Sequence, residues 1–120
     1  MLVNILFVEN HAVFADQVTR QFLSSYRVTV VPSLMAARSA VTSGNYQLIL
    51  SDYDLDDGKG EVFVRECRTA FPTLPIIAVS SHEAGNAALV KAGASAVCSK
   101  MNFDQIQQVI ETLVPNEEYD

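Results

Sequence analysis

Short apolar runs alternate with helix-spaced segments from one end of the chain to the other. Asn4-Ile5-Leu6-Phe7-Val8 is a continuous apolar run, cut off by Glu9-Asn10. From His11 to Ser25 the spacing is helical, with Val13, Phe14, Val18 and Phe22 drawn to one side. Arg27 to Val31 is rich in β-branched residues and stops at Pro32; Ser33 then caps a helix carrying Leu34, Ala37, Ala40 and Val41, which ends near Gly44. A third strand, Gln47 to Ser51, closes at Asp52 and is followed by a polar loop from Tyr53 to Gly60. Glu61 to Phe71 reads as a helix with Val62, Phe63, Cys67 and Phe71 along it. Pro75 to Val79 reads as a strand, Glu83 to Ala92 as a short helix, and Ala96 to Ser99 as the weakest strand. Asn102 with Gln105 resembles a capping box, opening a last helix whose stripe is Phe103, Ile106, Val109, Ile110 and Leu113.

Strands 1, 3 and 4 are apolar on successive residues, the pattern of a parallel sheet covered on both faces by helices. Regular β-α alternation with right-handed crossovers gives an α/β, flavodoxin-like, doubly wound fold. Its expected sheet is five-stranded and parallel, in the order 2-1-3-4-5. No repeat or linker interrupts it, so residues 1–120 read as one domain, with 115–120 a flexible polar tail.

Composition narrows the function. Apolar residues make up 49% and charged residues 18% of 120 residues, which suits a globular domain with a core of its own. The formal net charge is −6. Such a surface repels a phosphate backbone, which argues against direct nucleic-acid binding. Cys67 and Cys98 have neither metal-ligand nor redox spacing and read as core thiols. No apolar run reaches bilayer length and no signal peptide precedes the first strand, so the expectation is a cytoplasmic protein without a membrane partner.

In a doubly wound sheet, chemistry gathers beyond the carboxyl ends of the strands. Strand 1 ends in Glu9-Asn10, strand 3 in Asp52, strand 4 in Ser80-Ser81 and strand 5 in Ser99-Lys100. Neighbouring carboxylates at Glu9 and Asp52 call for a cation between them, and oxygen-only ligands beside a phosphate suit Mg²⁺. Asp52 is then a nucleophile toward a phosphoryl donor, with Lys100 neutralising charge and the Ser80 hydroxyl donating to a phosphoryl oxygen. His11 and His82 lie near the same rim and read as ordinary surface or loop residues.

This ordered set resembles the receiver domains of two-component response regulators, the CheY-like superfamily, over residues 3 to 114. The resemblance implies a phosphoacceptor at Asp52, a hydroxyl position at Ser80 and the lysine at Lys100. It implies metal contacts from Glu9, Asn10, Asp52 and the backbone carbonyl of Asp54. Gly60 matches the glycine that opens the third helix, and Lys91-Ala92-Gly93-Ala94-Ser95 resembles the usual turn before strand 5. The implied function is acceptance of a phosphoryl group from a histidine kinase or histidine phosphotransfer domain, followed by altered binding of a downstream effector protein. On this reading the chain catalyses its own Mg²⁺-dependent phosphorylation and is not a turnover enzyme.

The sequence also departs from the family. Its acidic pair is here Glu9-Asn10, which removes one negative charge and predicts weaker Mg²⁺ binding. The proline four residues past the acceptor is Asp56, and the one after the lysine is Met101, so Lys100 is expected to be held differently. Val97 occupies the aromatic switch position, and the stretch from Ser80 to Gly93 is about two residues short. Three other readings stay open. A pseudo-receiver would bind partners without phosphorylation. A haloacid-dehalogenase-like phosphatase would use Asp52 as nucleophile and Asp54 as acid-base. An electron-transfer flavodoxin is disfavoured by the acidic, glycine-free loop from Glu9 to Val13.

Overall fold

Five parallel strands build the central sheet: β1 (Asn4–Val8), β2 (Arg27–Val31), β3 (Leu48–Ser51), β4 (Ile76–Ala78) and β5 (Ala96–Val97). They lie in the order 2-1-3-4-5, as the alternating pattern predicts. The computed structural model describes residues 2–114, so the tail expected over 115–120 lies outside the described residues. Five helices connect and follow the strands: α1 (Ala12–Phe22), α2 (Leu34–Ser43), α3 (Gly60–Ala70), α4 (Glu83–Ala92) and α5 (Ile106–Leu113). Among the described residues no helix is long and apolar enough to cross a membrane.

The pleat explains why the strands are apolar at consecutive positions. Ile5, Phe7, Leu48, Leu50, Ile77 and Val79 point to one face, where Val18 of α1 and Ile106 and Ile110 of α5 cover them. Leu6, Val8, Ile49, Ile76 and Ala78 point to the other, under Leu34 and Ala37 of α2, Phe63, Val64 and Cys67 of α3 and Leu89 of α4. Both cysteines are buried and unpaired, and burial pushes the Cys67 thiol up to about 12, which leaves it inert as the core reading requires.

Several local expectations change. The α1 stripe does not include Val13, whose exposure is 73%. Five residues separate Val13 from Val18, so they sit about 140° apart around the helix; Ala15 is buried in its place. The helix stops at Phe22 and not at Ser25, because the chain turns at fully buried Leu23 to enter β2. Helix α3 starts at Gly60 and leaves Phe71 outside it, exposed. Strand β5 keeps only two residues.

The polar loop after β3 is ordered as a small antiparallel hairpin, Asp54–Leu55 against Gly58–Lys59. Asp57 at its turn reaches over to α2, where its Oδ1 accepts from the Leu34 amide at 2.6 Å and its Oδ2 from the Met35 amide at 3.1 Å. Ser33 caps the same helix as expected, its hydroxyl accepting from the Ala36 amide. The capping box at Asn102 and Gln105 does not form. Lys100–Gln105 is instead a 3₁₀ turn, with Asn102 non-helical inside it and Ser99 Oγ accepting from the Met101 amide at 3.2 Å. Phe103 anchors this turn, stacked on Phe7 at 6.1 Å, edge-on to Phe14 at 5.6 Å and tilted against Phe22 at 6.1 Å.

Two outcomes test this packing. Phe103→Ala removes a buried ring that joins three others, and urea denaturation should show a loss of about 3–5 kcal/mol. The Leu34 amide first, against desolvation and with the Met35 amide adding, holds the Asp57 carboxyl below its ordinary value of 3.8. A carboxyl depressed in the folded state stabilises fully above the unfolded value, and that stability is lost as the pH falls through the folded value. Asp57→Ala should therefore lower stability at neutral pH, with the gap from wild type closing at acid pH. An NMR titration of Asp57 should show a midpoint below 3.8.

Candidate functional site

The sheet ladder runs one residue past the apolar stretches and lines up their polar ends. The Glu9 amide donates to the Val31 carbonyl at 2.9 Å, the Asp52 amide to Val8 at 2.9 Å and the Val79 amide to Ser51 at 3.0 Å. Glu9, Asp52 and Ser80 thus emerge side by side at the carboxyl ends of β1, β3 and β4, and all three are buried. Such burial of two carboxylates is costly without a countercharge.

Lys100 supplies it. Its Nζ lies 3.0 Å from Asp52 Oδ2, to which it donates, and 2.8 Å from Glu9 Oε1. The second contact is an ion pair without hydrogen-bond alignment, so Glu9 Oε1 has no hydrogen-bond donor. The lysine side chain is only 12% exposed, and its ammonium sits 4.9 Å from the centre of the Phe14 ring. Phe14, edge-on to Phe103, is the ring that faces the ammonium. Met101 itself is 78% exposed.

The remaining oxygens face the other way. Asp52 Oδ1 accepts from the Tyr53 amide at 2.7 Å, and Glu9 Oε2 accepts from the His11 amide at 3.0 Å. Oδ1 of Asn10 is buried and has no hydrogen-bond partner among the described residues. Such an atom is a ligand in waiting, and with Glu9 and Asp52 it makes an all-oxygen set that fits a divalent cation. The Asp54 carboxylate does not join them. It is exposed and paired with Lys59, which holds it below the ordinary carboxylate range, so only its main-chain carbonyl is left for the metal role.

Ser80 is fixed through its backbone. Its amide donates to Asn86 Oδ1 at 2.8 Å, and Asn86 Nδ2 donates back to the Ser80 carbonyl at 2.9 Å. The hydroxyl accepts from the His82 amide at 3.2 Å. Gly85 permits this closeness, since a Cβ there would lie 2.8 Å from Ser80 Oγ. Gly60 does the same for the acceptor strand, where a Cβ would fall 2.0 Å from the Asp52 carbonyl oxygen. The sequence reading found Glu9, Asn10, Asp52, Ser80 and Lys100 but missed Asn86 and Phe14. A single asparagine in an alanine-rich helix was the one available signal for the former. His11 is an exposed surface residue, as expected, and its ring also places Nδ1 3.1 Å from Glu9 Oε2.

Comparison with known proteins bears on the family and the fold. The family model described as "Response regulator receiver domain" matches residues 5–111. A response regulator receiver domain protein (CheY-like) from Methanospirillum hungatei is similar at 20% identity, with 100% of each chain covered and a TM-score of 0.83. TrrA of Thermotoga maritima, a response regulator solved with Mg²⁺-BeF, shares 20% identity over 94% of this chain and 100% of its own, with a TM-score of 0.85. The Mn²⁺-bound response regulator Rcp1 shares 16% identity over 94% of this chain and 96% of its own, with a TM-score of 0.77. A search of curated proteins found no match.

The role of Asn86 is measurable. Asn86→Ala strips partners from a buried amide and a buried carbonyl of Ser80, and chemical denaturation should show a cost of about 1–3 kcal/mol. Asn86→Asp keeps the acceptor and loses the donor, and should fall between that variant and wild type.

Proposed function

The chain belongs to the response regulator receiver domain family, and from that premise we propose that Asp52 is its phosphoacceptor. The observation that supports this most directly is the Lys100 ammonium shared between Asp52 and Glu9 at 3.0 and 2.8 Å. The donor is a phosphohistidine on a histidine kinase or a histidine phosphotransfer domain, and the reading includes a cytoplasmic location. An Asp52 carboxylate oxygen attacks the phosphorus, the N–P bond breaks with its electron pair returning to the donor imidazole, and an acyl phosphate remains on Asp52.

Each neighbour has a part in that transfer. Lys100 offsets the charge on the transferring phosphoryl oxygens, and the Tyr53 amide orients the acceptor carboxylate. The Ser80 hydroxyl turns its hydrogen toward a phosphoryl oxygen once phosphate is present. Glu9 and Asp52, with the Asn10 side-chain oxygen and the Asp54 carbonyl, are the residues that would hold Mg²⁺. The bound ion supplies charge neutralisation that lets an anionic donor approach two carboxylates.

The output follows from what Ser80 is tied to. Any shift of Ser80 toward Asp52 pulls on Asn86 and so on the first turn of α4, biasing a pre-existing equilibrium of that face and its affinity for an effector protein. The chain is spent once per phosphoryl group, which makes it a self-modifying switch and not a turnover enzyme.

Intact-mass analysis after incubation with acetyl phosphate and Mg²⁺ tests the assignment. Wild type should gain one phosphoryl group and Asp52→Asn none, with Lys100→Ala slowed about 10²-fold or more. An unmodified wild type at high Mg²⁺, with phosphohistidine donors also failing, would turn the reading to a phosphorylation-independent interaction module.

A further inference from the structure

The cation site contains one group that the oxygen-only description does not use. We propose that His11 supplies an imidazole nitrogen to that site and gives it a preference for divalent transition ions, of the Zn²⁺ and Co²⁺ kind, over Mg²⁺. This deepens the functional reading above and rests on its cation site.

The first support is position. One donor atom from each of Glu9, His11 and Asp52 lies within 4.8 Å of the other two. His11 Nδ1 sits 3.1 Å from Glu9 Oε2. Two adjacent ligands of an octahedral ion with bonds of about 2.1 Å are separated by roughly 3.0 Å, so that spacing suits a shared cation as well as a hydrogen bond. Glu9 divides its oxygens between the two neighbours, Oε1 toward Lys100 and Oε2 toward His11. The imidazole therefore stands on the side of Glu9 that the ammonium leaves free.

The second support is that, among the described residues, the His11 ring contacts no polar partner but the Glu9 carboxylate. His11 is the N-cap residue of α1, a position that favours short oxygen-bearing side chains, yet it makes no capping hydrogen bond. Its ring packs into no core and is 66% exposed, with Nδ1 turned to Glu9 Oε2.

The third is charge and ligand chemistry. Glu9 and Asp52 bring two negative charges and Lys100 cancels one, while Asn10 adds an oxygen but no charge. A hard, strongly hydrated ion such as Mg²⁺ depends on carboxylate charge, and this site has little to offer it. A neutral imidazole adds most to ions later in the first-row series, for which nitrogen is a good ligand. Asn10 Oδ1, next in the chain to Glu9, is buried and has no hydrogen-bond partner among the described residues, which leaves it free as a further oxygen donor.

The test compares Zn²⁺ and Mg²⁺ affinities by calorimetry for wild type, His11→Ala, His11→Gln and His82→Ala, with circular dichroism reporting the fold of each. Wild type should bind Zn²⁺ more tightly than Mg²⁺. Both His11 variants should lose about tenfold or more in Zn²⁺ affinity while Mg²⁺ affinity moves less than about twofold. His82→Ala should behave as wild type. Co²⁺-loaded wild type should show hyperfine-shifted imidazole C–H resonances that vanish in His11→Gln. Equal Zn²⁺ affinity in wild type and His11→Ala, or no shifted imidazole signals, overturns the role of His11 and leaves the cation site standing. If wild type binds neither ion, the inference falls together with the cation part of the functional reading.

Discussion

The ammonium of Lys100, set between the carboxylates of Glu9 and Asp52, is the contact on which the rest of the site depends. Both acids are removed from water by the ladder bonds that end β1 and β3, and their mutual repulsion in a low-dielectric rim would otherwise open it. One lysine meets both at 2.8 and 3.0 Å, and the pocket keeps a net charge of −1. That residual charge leaves a cation welcome while still allowing an anionic group to approach.

A flexible four-carbon stem does not by itself hold an ammonium at such a point. The aromatic cluster does. Phe103 follows Lys100 by three residues and is clamped by Phe7 from β1 and by Phe14 and Phe22 from α1, while Phe14 also faces the ammonium. Because Phe7 lies in β1 two residues before Glu9, the acid and its countercharge are registered through the same hydrophobic core. The opposite side of the site is organised by polar contacts: Asp57 ties the hairpin after Asp52 to α2, and Asn86 ties Ser80 to α4. One flank thus resists movement through packing and the other through directional bonds that can be exchanged.

These differences explain what was legible in the sequence. Buried strands write themselves as apolar runs, and the residue ending each run lies at the reactive rim, so strand order, Glu9, Asp52, Ser80 and Lys100 could be read directly. Helix α4 was also legible, with its boundaries at Glu83 and Ala92 as expected. The hairpin at Asp54–Lys59 was not, since two-residue arms carry no periodicity. Asn86, Asp57 and Phe14 act across loops, on partners 6, 23 and 86 residues away in the chain, and no local pattern encodes such closure. The capping box at Asn102 failed for a related reason: Phe103 must enter the aromatic cluster, and that demand bends the turn away from a regular helix start.

Two of the residues that depart from the family pattern, Val97 and Met101, fall outside the Lys100 contact, and this separates two properties that are often treated as one. Val97, 43% exposed, and Met101 lie with Val90 along an open groove beside α4 and β5, away from the two carboxylates. Losing a ring at Val97 removes one lever between Ser80 and that groove without altering the charges that make Asp52 reactive. The lever that remains is the reciprocal bond pair between Ser80 and Asn86, which acts on backbone atoms and needs no side-chain rotation. Two buried hydrogen bonds are stiff over short distances and costly to break, so a displacement of Ser80 moves the start of α4 as a unit before either bond yields. On the proposed reading, acceptance of phosphate and transmission of its effect therefore rest on different atoms in this chain, the first on Lys100 and the second on Asn86.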